Sequence, residues 1–86
     1  METRVALLGI VVENPDSVES LNRLLHQYKD FIIGRMGIPY RARGVNIISI
    51  VLDAPADDIS SLAGKAGMLP GVTAKAVYSK LPADHG

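Results

Sequence analysis

The chain has 86 residues, of which 48% are hydrophobic and 5% aromatic, and nine basic residues balance nine acidic ones. This length predicts one domain, and the balanced charge excludes a general electrostatic attraction to nucleic acids or membranes. The sequence contains no cysteine, which excludes disulfides, thiolate metal sites and a thiol nucleophile. Because a domain this small cannot easily bury so much apolar material, we expect it to associate with a second copy.

The amino-terminal segment METRVALLGIVVENPD does not have the character of a signal peptide. Its apolar run is short, contains β-branched residues in series and lacks a cleavage site of small residues. No stretch approaches the roughly 20 apolar residues that a membrane span requires. We therefore expect a cytoplasmic protein that does not contact membranes.

The first predicted elements are a strand and a helix. Residues 4–13 are apolar at odd and even positions, which predicts a strand covered on both faces, and Gly9 within it predicts a bulge or a close backbone neighbour. The next segment predicts a helix with Asn14 as its N-cap and Pro15 at its first position. Apolar residues at helical spacing form one stripe: Val18, Leu21, Leu24, Leu25 and Tyr28.

A hairpin is predicted next. Residues 31–38 read as a second strand, which should stop before Pro39 because proline cannot donate a hydrogen bond to a ladder. The loop PYRAR, which ends at Gly44, joins it to residues 45–53, the clearest strand in the chain.

The last part of the chain predicts a helix, a strand and a tail. Residues 54–67 form the second helix, with acidic residues in its first turn and Gly67 as its C′ residue. The chain then turns at Pro70–Gly71, runs as a last strand towards Lys80, and ends in a loose tail at residues 81–86.

The order β-α-β-β-α-β predicts an α+β protein with a ferredoxin-like sandwich as one domain over residues 1–80. Two helices cover one face of a four-stranded antiparallel sheet, and the other face is bare in a monomer. The apolar residues of both parities in the first and third strands predict that this bare face is covered. We expect a dimer or a tetramer that packs sheet to sheet or edge to edge.

Three stretches resemble the small regulators associated with the iron-only hydrogenase system: RVALLGIVVEN, LNRLLHQYKDFIIGRMGIPYRARGVNIISIVLDA and LAGKAGMLPGVTAKAVYSK. The resemblance covers about residues 4–80, and GRMGIPYR and GMLPGV are its most specific parts. Such regulators are similar in fold to ACT domains and to the C-terminal domain of nickel-responsive transcriptional regulators. The resemblance implies an oligomeric, ACT-like regulatory module that lacks established catalysis.

The chain departs from both groups of relatives where those proteins bind ligands. ACT domains that bind amino acids usually have an acidic-x-Pro-Gly turn after the first strand, whereas here Asp16 stands at the glycine and would repel a ligand carboxylate. Nickel-responsive regulators need several histidines and a cysteine, and this chain offers only His26 and His85. Amino-acid sensing is therefore disfavoured, and we expect no metal site and no cofactor.

The segment GRMGIPYRARG at residues 34–44 is the candidate binding site, because it holds three arginines and no carboxylate lies between Asp30 and Asp53. Arginine binds carboxylates and phosphates bidentately, glycine permits close backbone approach, and Tyr40 offers a ring and a hydroxyl. Solvated arginines beside a turn are the alternative interpretation. The candidate residues are Gly34, Arg35, Met36, Gly37, Tyr40, Arg41 and Arg43, together with Asn14, which the sequence favours as a cap.

No catalytic constellation is evident, so we do not expect an enzyme. Asp57 and Asp58 suit the first turn of a helix, and no serine has the context of a nucleophile elbow.

Three functions remain open. The first is a regulatory module that binds a small-molecule or anionic effector, or a partner protein. The second is direct binding of DNA or RNA through the arginine hairpin, which zero net charge and a single phenylalanine disfavour. The third is a purely structural oligomerisation unit.

Overall fold

The computed structural model describes residues 2–80, so Met1 and the predicted tail at 81–86 lie outside the described residues. The helices and strands are β1 (Arg4–Val12), α1 (Val18–Gln27), β2 (Ile32–Tyr40), β3 (Val45–Ala54), α2 (Ala56–Gly67) and β4 (Val72–Tyr78). Short 3₁₀ turns at Pro15–Ser17, Lys29–Phe31 and Arg41–Arg43 connect them. None of the described helices is long and apolar enough to cross a membrane.

The four strands form one antiparallel sheet in the order β2-β3-β1-β4. Both helices pack on the same face, where their apolar residues join those of the strands in one core. This arrangement confirms the predicted ferredoxin-like α+β fold. The two central strands, β1 and β3, have a hydrogen-bonded neighbour on each side, whereas β2 and β4 are the edges.

Alternation along the central strands places every second residue in the core, which also takes in the stripe of α1. Burying each large aliphatic side chain of this kind stabilises the fold by about 1.5–3 kcal/mol before conformational entropy is counted. The largest fully buried side chains are Leu8, Ile10, Val12, Leu21, Leu25, Ile50, Leu52, Ile59 and Leu62.

The prediction that the second strand stops before Pro39 is wrong. β2 continues to Tyr40, and Pro39 pairs with Asn46 of β3. The physical reason is the position of β2 at the edge of the sheet, where the side of the strand without a neighbour can accommodate a residue that has no N–H. The turn that follows is therefore only Arg41–Gly44, with Gly44 in the left-handed region at a φ of 67°.

Two glycine predictions also need correction. The ladder on both sides of Gly9 has no bulge, and a Cβ added there would lie 3.9 Å from the Lys75 carbonyl oxygen, an ordinary contact. Gly67 is the last residue of α2 and not a left-handed C′ residue, since Met68 after it is still right-handed. The left-handed position is Gly71, with a φ of 69°, in the turn before β4.

The predicted cap of the first helix is confirmed, but it caps a 3₁₀ turn that leads into α1. The Oδ1 atom of Asn14 accepts a hydrogen bond from the Asp16 N–H at 3.0 Å. The Ser17 hydroxyl, which is buried, donates to the Pro70 carbonyl at 2.6 Å, and the Glu13 N–H donates to the Gly71 carbonyl at 2.7 Å. These bonds fasten the start of the first helical segment to the turn before β4.

Candidate functional site

The predicted arginine segment is divided by the alternation of β2. Arg35 and Gly37 pair with Ile50 and Ile48, whose side chains lie in the core, so both face the helix side of the sheet. The candidate residues at the alternate positions face the opposite side, where no helix packs. They are Gly34, Met36 and Tyr40. The segment therefore presents its side chains in two directions and not as one cluster.

On the helix side, Arg35 reaches α1. Its Nη2 atom donates a hydrogen bond to the Oδ1 atom of Asn22 at 2.6 Å. The two side chains form part of a groove with a volume of about 240 Å³ between the helix and the edge strand. We call this the α1–β2 groove, and its lining residues are Asn22, Leu25, His26, Lys29, Ile32 and Arg35.

A larger cavity, of about 430 Å³, lies at the end of the β2–β3 hairpin. We call it the hairpin-end cavity, and its lining residues are Pro15, Pro39, Tyr40, Arg41, Gly44, Val45 and Asn46. The left-handed Gly44 closes the turn through a hydrogen bond from its N–H to the Arg41 carbonyl at 3.2 Å. Two of the predicted site residues, Tyr40 and Arg41, therefore meet here, and Arg43 is exposed in the same turn.

The other candidate residues are Asn14 and the two glycines of β2. Asn14 is the cap described above, and it adjoins Pro15 in the lining of the hairpin-end cavity. A Cβ added at Gly34 or Gly37 would meet no atom of the described residues within 4 Å. The backbone of β2 is thus open at both glycines to an approaching ligand or chain, as the sequence suggested it could be.

The sheet face without helices is apolar across all four strands. We call it the open face, and its large exposed apolar residues are Val5, Leu7, Val11, Met36, Ile38, Tyr40, Ile47 and Val77. Each of these side chains is between 38% and 66% exposed. Asp53 and Lys75 are the charged residues on this face among the described strands. The predicted bare face therefore exists, and it has the composition of an interface core.

The described residues offer little to a metal or to acid–base chemistry. No group of three His, Asp or Glu side chains within residues 2–80 could hold a metal ion. Tyr28, which lies between the helices, donates to Ser61 at 3.4 Å and accepts from the Lys65 ammonium at 3.2 Å. The bond with Ser61 lowers the pKa of Tyr28, and the Lys65 charge adds to this effect against the opposing effect of burial.

The α1–β2 groove is the feature that sequence reasoning missed. Asn22 and His26 are four residues apart and share one face of α1, beside the apolar stripe, and Lys29 follows in the 3₁₀ turn after the helix. That polar spacing was visible in the sequence. What the sequence did not show was that Arg35 of the edge strand would face the same row.

Comparison with known proteins identifies a family and a solved structure to which the chain is similar. The model of the TM1266-like family, described as "Iron-only hydrogenase system regulator, putative", matches residues 4–76. The solved structure of the uncharacterized protein TM1266 from Thermotoga maritima is similar, with a TM-score of 0.88 and 38% identity. The match covers 92% of this chain and 100% of that one. No curated protein matches the chain significantly.

Proposed function

This chain belongs to the TM1266-like family of iron-only hydrogenase system regulators, and we propose that it is a non-enzymatic regulatory module that works as a homo-oligomer. Residues 1–80 form a single ACT-like domain in this proposal, and the protein acts in the cytoplasm. Regulation is exerted at the level of transcription through a partner protein, since the balanced charge disfavours direct contact with DNA.

The open face is the observation that carries the oligomer. A four-stranded sheet of this length presents roughly 20 by 30 Å of surface, close in scale to the ~800 Å² that each partner buries in a standard interface. Eight large apolar side chains stand exposed on it, and charged residues are scarce there. A second copy of the same face supplies a matching apolar surface, and two such sheets pack about 10 Å apart.

Sheet-to-sheet packing fits the strands better than edge-to-edge packing. β2 is irregular between Ile32 and Gly34, where its register with β3 shifts. Near its other end, Pro39 cannot donate to a further strand. Both features are typical of edges that resist the addition of another strand.

The hairpin-end cavity is our proposed site for a small effector. Its volume falls within the range of about 300–1,000 Å³ that is common for small-molecule sites. Tyr40 supplies a ring and a hydroxyl, and Arg41 supplies a guanidinium that suits an anionic group. Because Tyr40 belongs to both the cavity and the open face, an effector bound there would touch the oligomer interface. Arg43, exposed in the same turn, extends this surface towards a partner protein, whereas Gly34 and Met36 lie in the proposed oligomer interface and Gly37 faces the helix side.

Native mass spectrometry of gently purified protein tests this proposal, since it reports the oligomer and any retained ligand together. We expect a dimer or tetramer that carries a reproducible small-molecule mass, and loss of that mass in Arg41→Ala. A ligand-free monomer would contradict the proposal as a whole. A ligand-free oligomer would contradict the effector site and would favour the structural oligomerisation unit.

Salt dependence separates regulation through a partner from direct nucleic-acid binding. We expect no binding of duplex DNA at physiological salt, because phosphate contacts require several clustered cations. Tight binding that weakens steeply with rising salt and is lost in Arg41→Ala would overturn the assignment to a partner protein.

A further inference from the structure

The α1–β2 groove lies apart from the hairpin-end cavity and shares none of its lining residues. We propose that this groove binds the phosphate group of a small soluble ester. The inference goes beyond the proposed regulatory function, because it rests on other residues and holds whether or not the hairpin-end cavity takes an effector.

Three donor side chains converge on the groove from three successive elements. His26 comes from α1, Lys29 comes from the 3₁₀ turn that follows it, and Arg35 comes from β2. The Arg35 guanidinium uses one of its N–H groups for Asn22, which holds its plane against the helix and leaves further donors of the fork for a ligand. A cation fixed in this way loses less conformational freedom on binding than an unrestrained one.

The charged side chains that line the groove, Lys29 and Arg35, are both positive. Among the described residues, no aspartate or glutamate lines it. Glu19, on α1, instead forms an ion pair with Arg23 at 3.0 Å. Cations near the end of a helix are also favoured by the helix dipole, which accounts for His26 and Lys29 on their own. It does not account for an arginine that a neighbouring strand brings to the same place.

Phosphate suits the groove better than other anions. Lys29 is a compact charge, Arg35 is a planar fork and His26 is a single ring, and the three belong to different elements around the groove. A tetrahedral phosphate presents at least three acceptor oxygens, whereas a carboxylate presents two in one plane. Leu25 and Ile32 supply an apolar floor, which lowers the local dielectric constant and strengthens charge attraction.

The size of the groove limits the ligand. Its volume of about 240 Å³ lies below the range of roughly 300–1,000 Å³ that drug-sized ligands occupy. A phosphate group with a few attached carbons fills it, and a whole nucleotide would extend into solvent.

Titration of the ¹⁵N-labelled protein by NMR tests the proposal, with sodium chloride keeping the ionic strength constant. Inorganic phosphate and glycerol phosphate serve as probes, which separates the free anion from an ester, and acetate serves as the carboxylate. We expect saturable shifts of the amides that line the groove, with millimolar affinity for both phosphates and no weaker binding of the ester than of inorganic phosphate. Weaker binding of the ester would overturn the choice of an ester. Equal affinity for acetate would overturn the choice of phosphate.

Variants decide whether the groove itself binds. Arg35→Gln and Lys29→Gln should each weaken phosphate binding by about tenfold, as expected for the loss of one charge-assisted hydrogen bond. Arg23→Gln is the matched control, because it also removes one positive charge, from α1 and outside the groove. Its binding should stay within about twofold of the parent protein. Equal weakening by Arg23→Gln, or shifts that fail to saturate, would show that only general charge attracts the anion.

Discussion

The two faces of the sheet differ more in what packs on them than in their residue composition. In β1, Leu8 is 0% exposed on the helix side, whereas its neighbour Leu7 is 44% exposed on the open face. Ile48 and Ile47 of β3 show the same contrast. Each face carries aliphatic side chains along both central strands, but the helices of the chain cover only one of them. The apolar composition of a strand therefore does not show that one chain can bury both of its faces.

Truncating a leucine on each face tests this contrast with the largest expected effect. Leu8→Ala should lower the free energy of unfolding by about 3 kcal/mol, because it leaves a cavity in the closed core. Leu7→Ala should change the unfolding of the monomer by less than about 1 kcal/mol. Urea denaturation at protein concentrations low enough to dissociate the oligomer measures both values. Similar losses in the two variants would mean that the faces are not distinct.

A charge on the open face should weaken the assembly and spare the fold. Leu7→Lys places an ammonium in the proposed interface, and we expect it to weaken association by about 2 kcal/mol, or roughly 30-fold. Ile33→Lys is the comparison variant at the sheet edge, since Ile33 is exposed at the irregular start of β2 and has no paired residue in β3. Light scattering coupled to size-exclusion chromatography gives the mass of each variant. Dissociation by Ile33→Lys alone would favour edge-to-edge packing.

The helix side of the sheet also depends on a polar contact, the hydrogen bond between Ser17 and Pro70. Ser17→Ala removes the hydrogen bond to the Pro70 carbonyl, and we expect it to lower the free energy of unfolding by about 1 kcal/mol. Ser60→Ala in α2 is the control, because Ser60 is exposed, and its effect should stay within about 0.5 kcal/mol. Thermal unfolding followed by circular dichroism compares the two. An equal effect of both substitutions would remove this role from Ser17.

The smallest expected effect is a pH dependence confined to the helix layer. The pKa of Tyr28 is lowered in the folded state, so its ionisation is favoured by folding. Stability should therefore rise, relative to Tyr28→Phe, as the pH increases from the lowered folded-state value towards the ordinary value near 10. Below that window both states hold the proton and Tyr28 contributes no pH dependence. Denaturation of both proteins from neutral to alkaline pH would show a constant difference if this linkage were absent.

The fold was predictable because its signals are local. The apolar run of β1, the stripe of α1 and the order of the elements each follow from periodicities that the sequence displays. The errors arose where tertiary position decides. Pro39 lies within a strand because β2 is an edge, and no residue near Pro39 reports that position.

The candidate site was predictable only in its parts. The spacing of Arg35 and Tyr40 along β2 already implied opposite faces once the segment was read as a strand, yet their common segment suggested one site. The meeting of Arg35 with α1 depends on how the helix crosses the sheet, which is a long-range property. Arg35 and Tyr40, which are close in sequence, thus lie on opposite faces of the sheet. Asn22 and Arg35, which are 13 positions apart, are joined by a hydrogen bond.

The most direct test of whether a second copy covers the open face is an isotope-filtered NOE experiment on a mixture of ¹³C-labelled and unlabelled protein. Only contacts between copies give signals in this measurement. We predict intermolecular NOEs to the methyl groups of Leu7, Val11 and Ile47, which lie on the open face of the two central strands. Intermolecular NOEs restricted to the β2 edge, or none at concentrations well above those in a cell, would contradict the account.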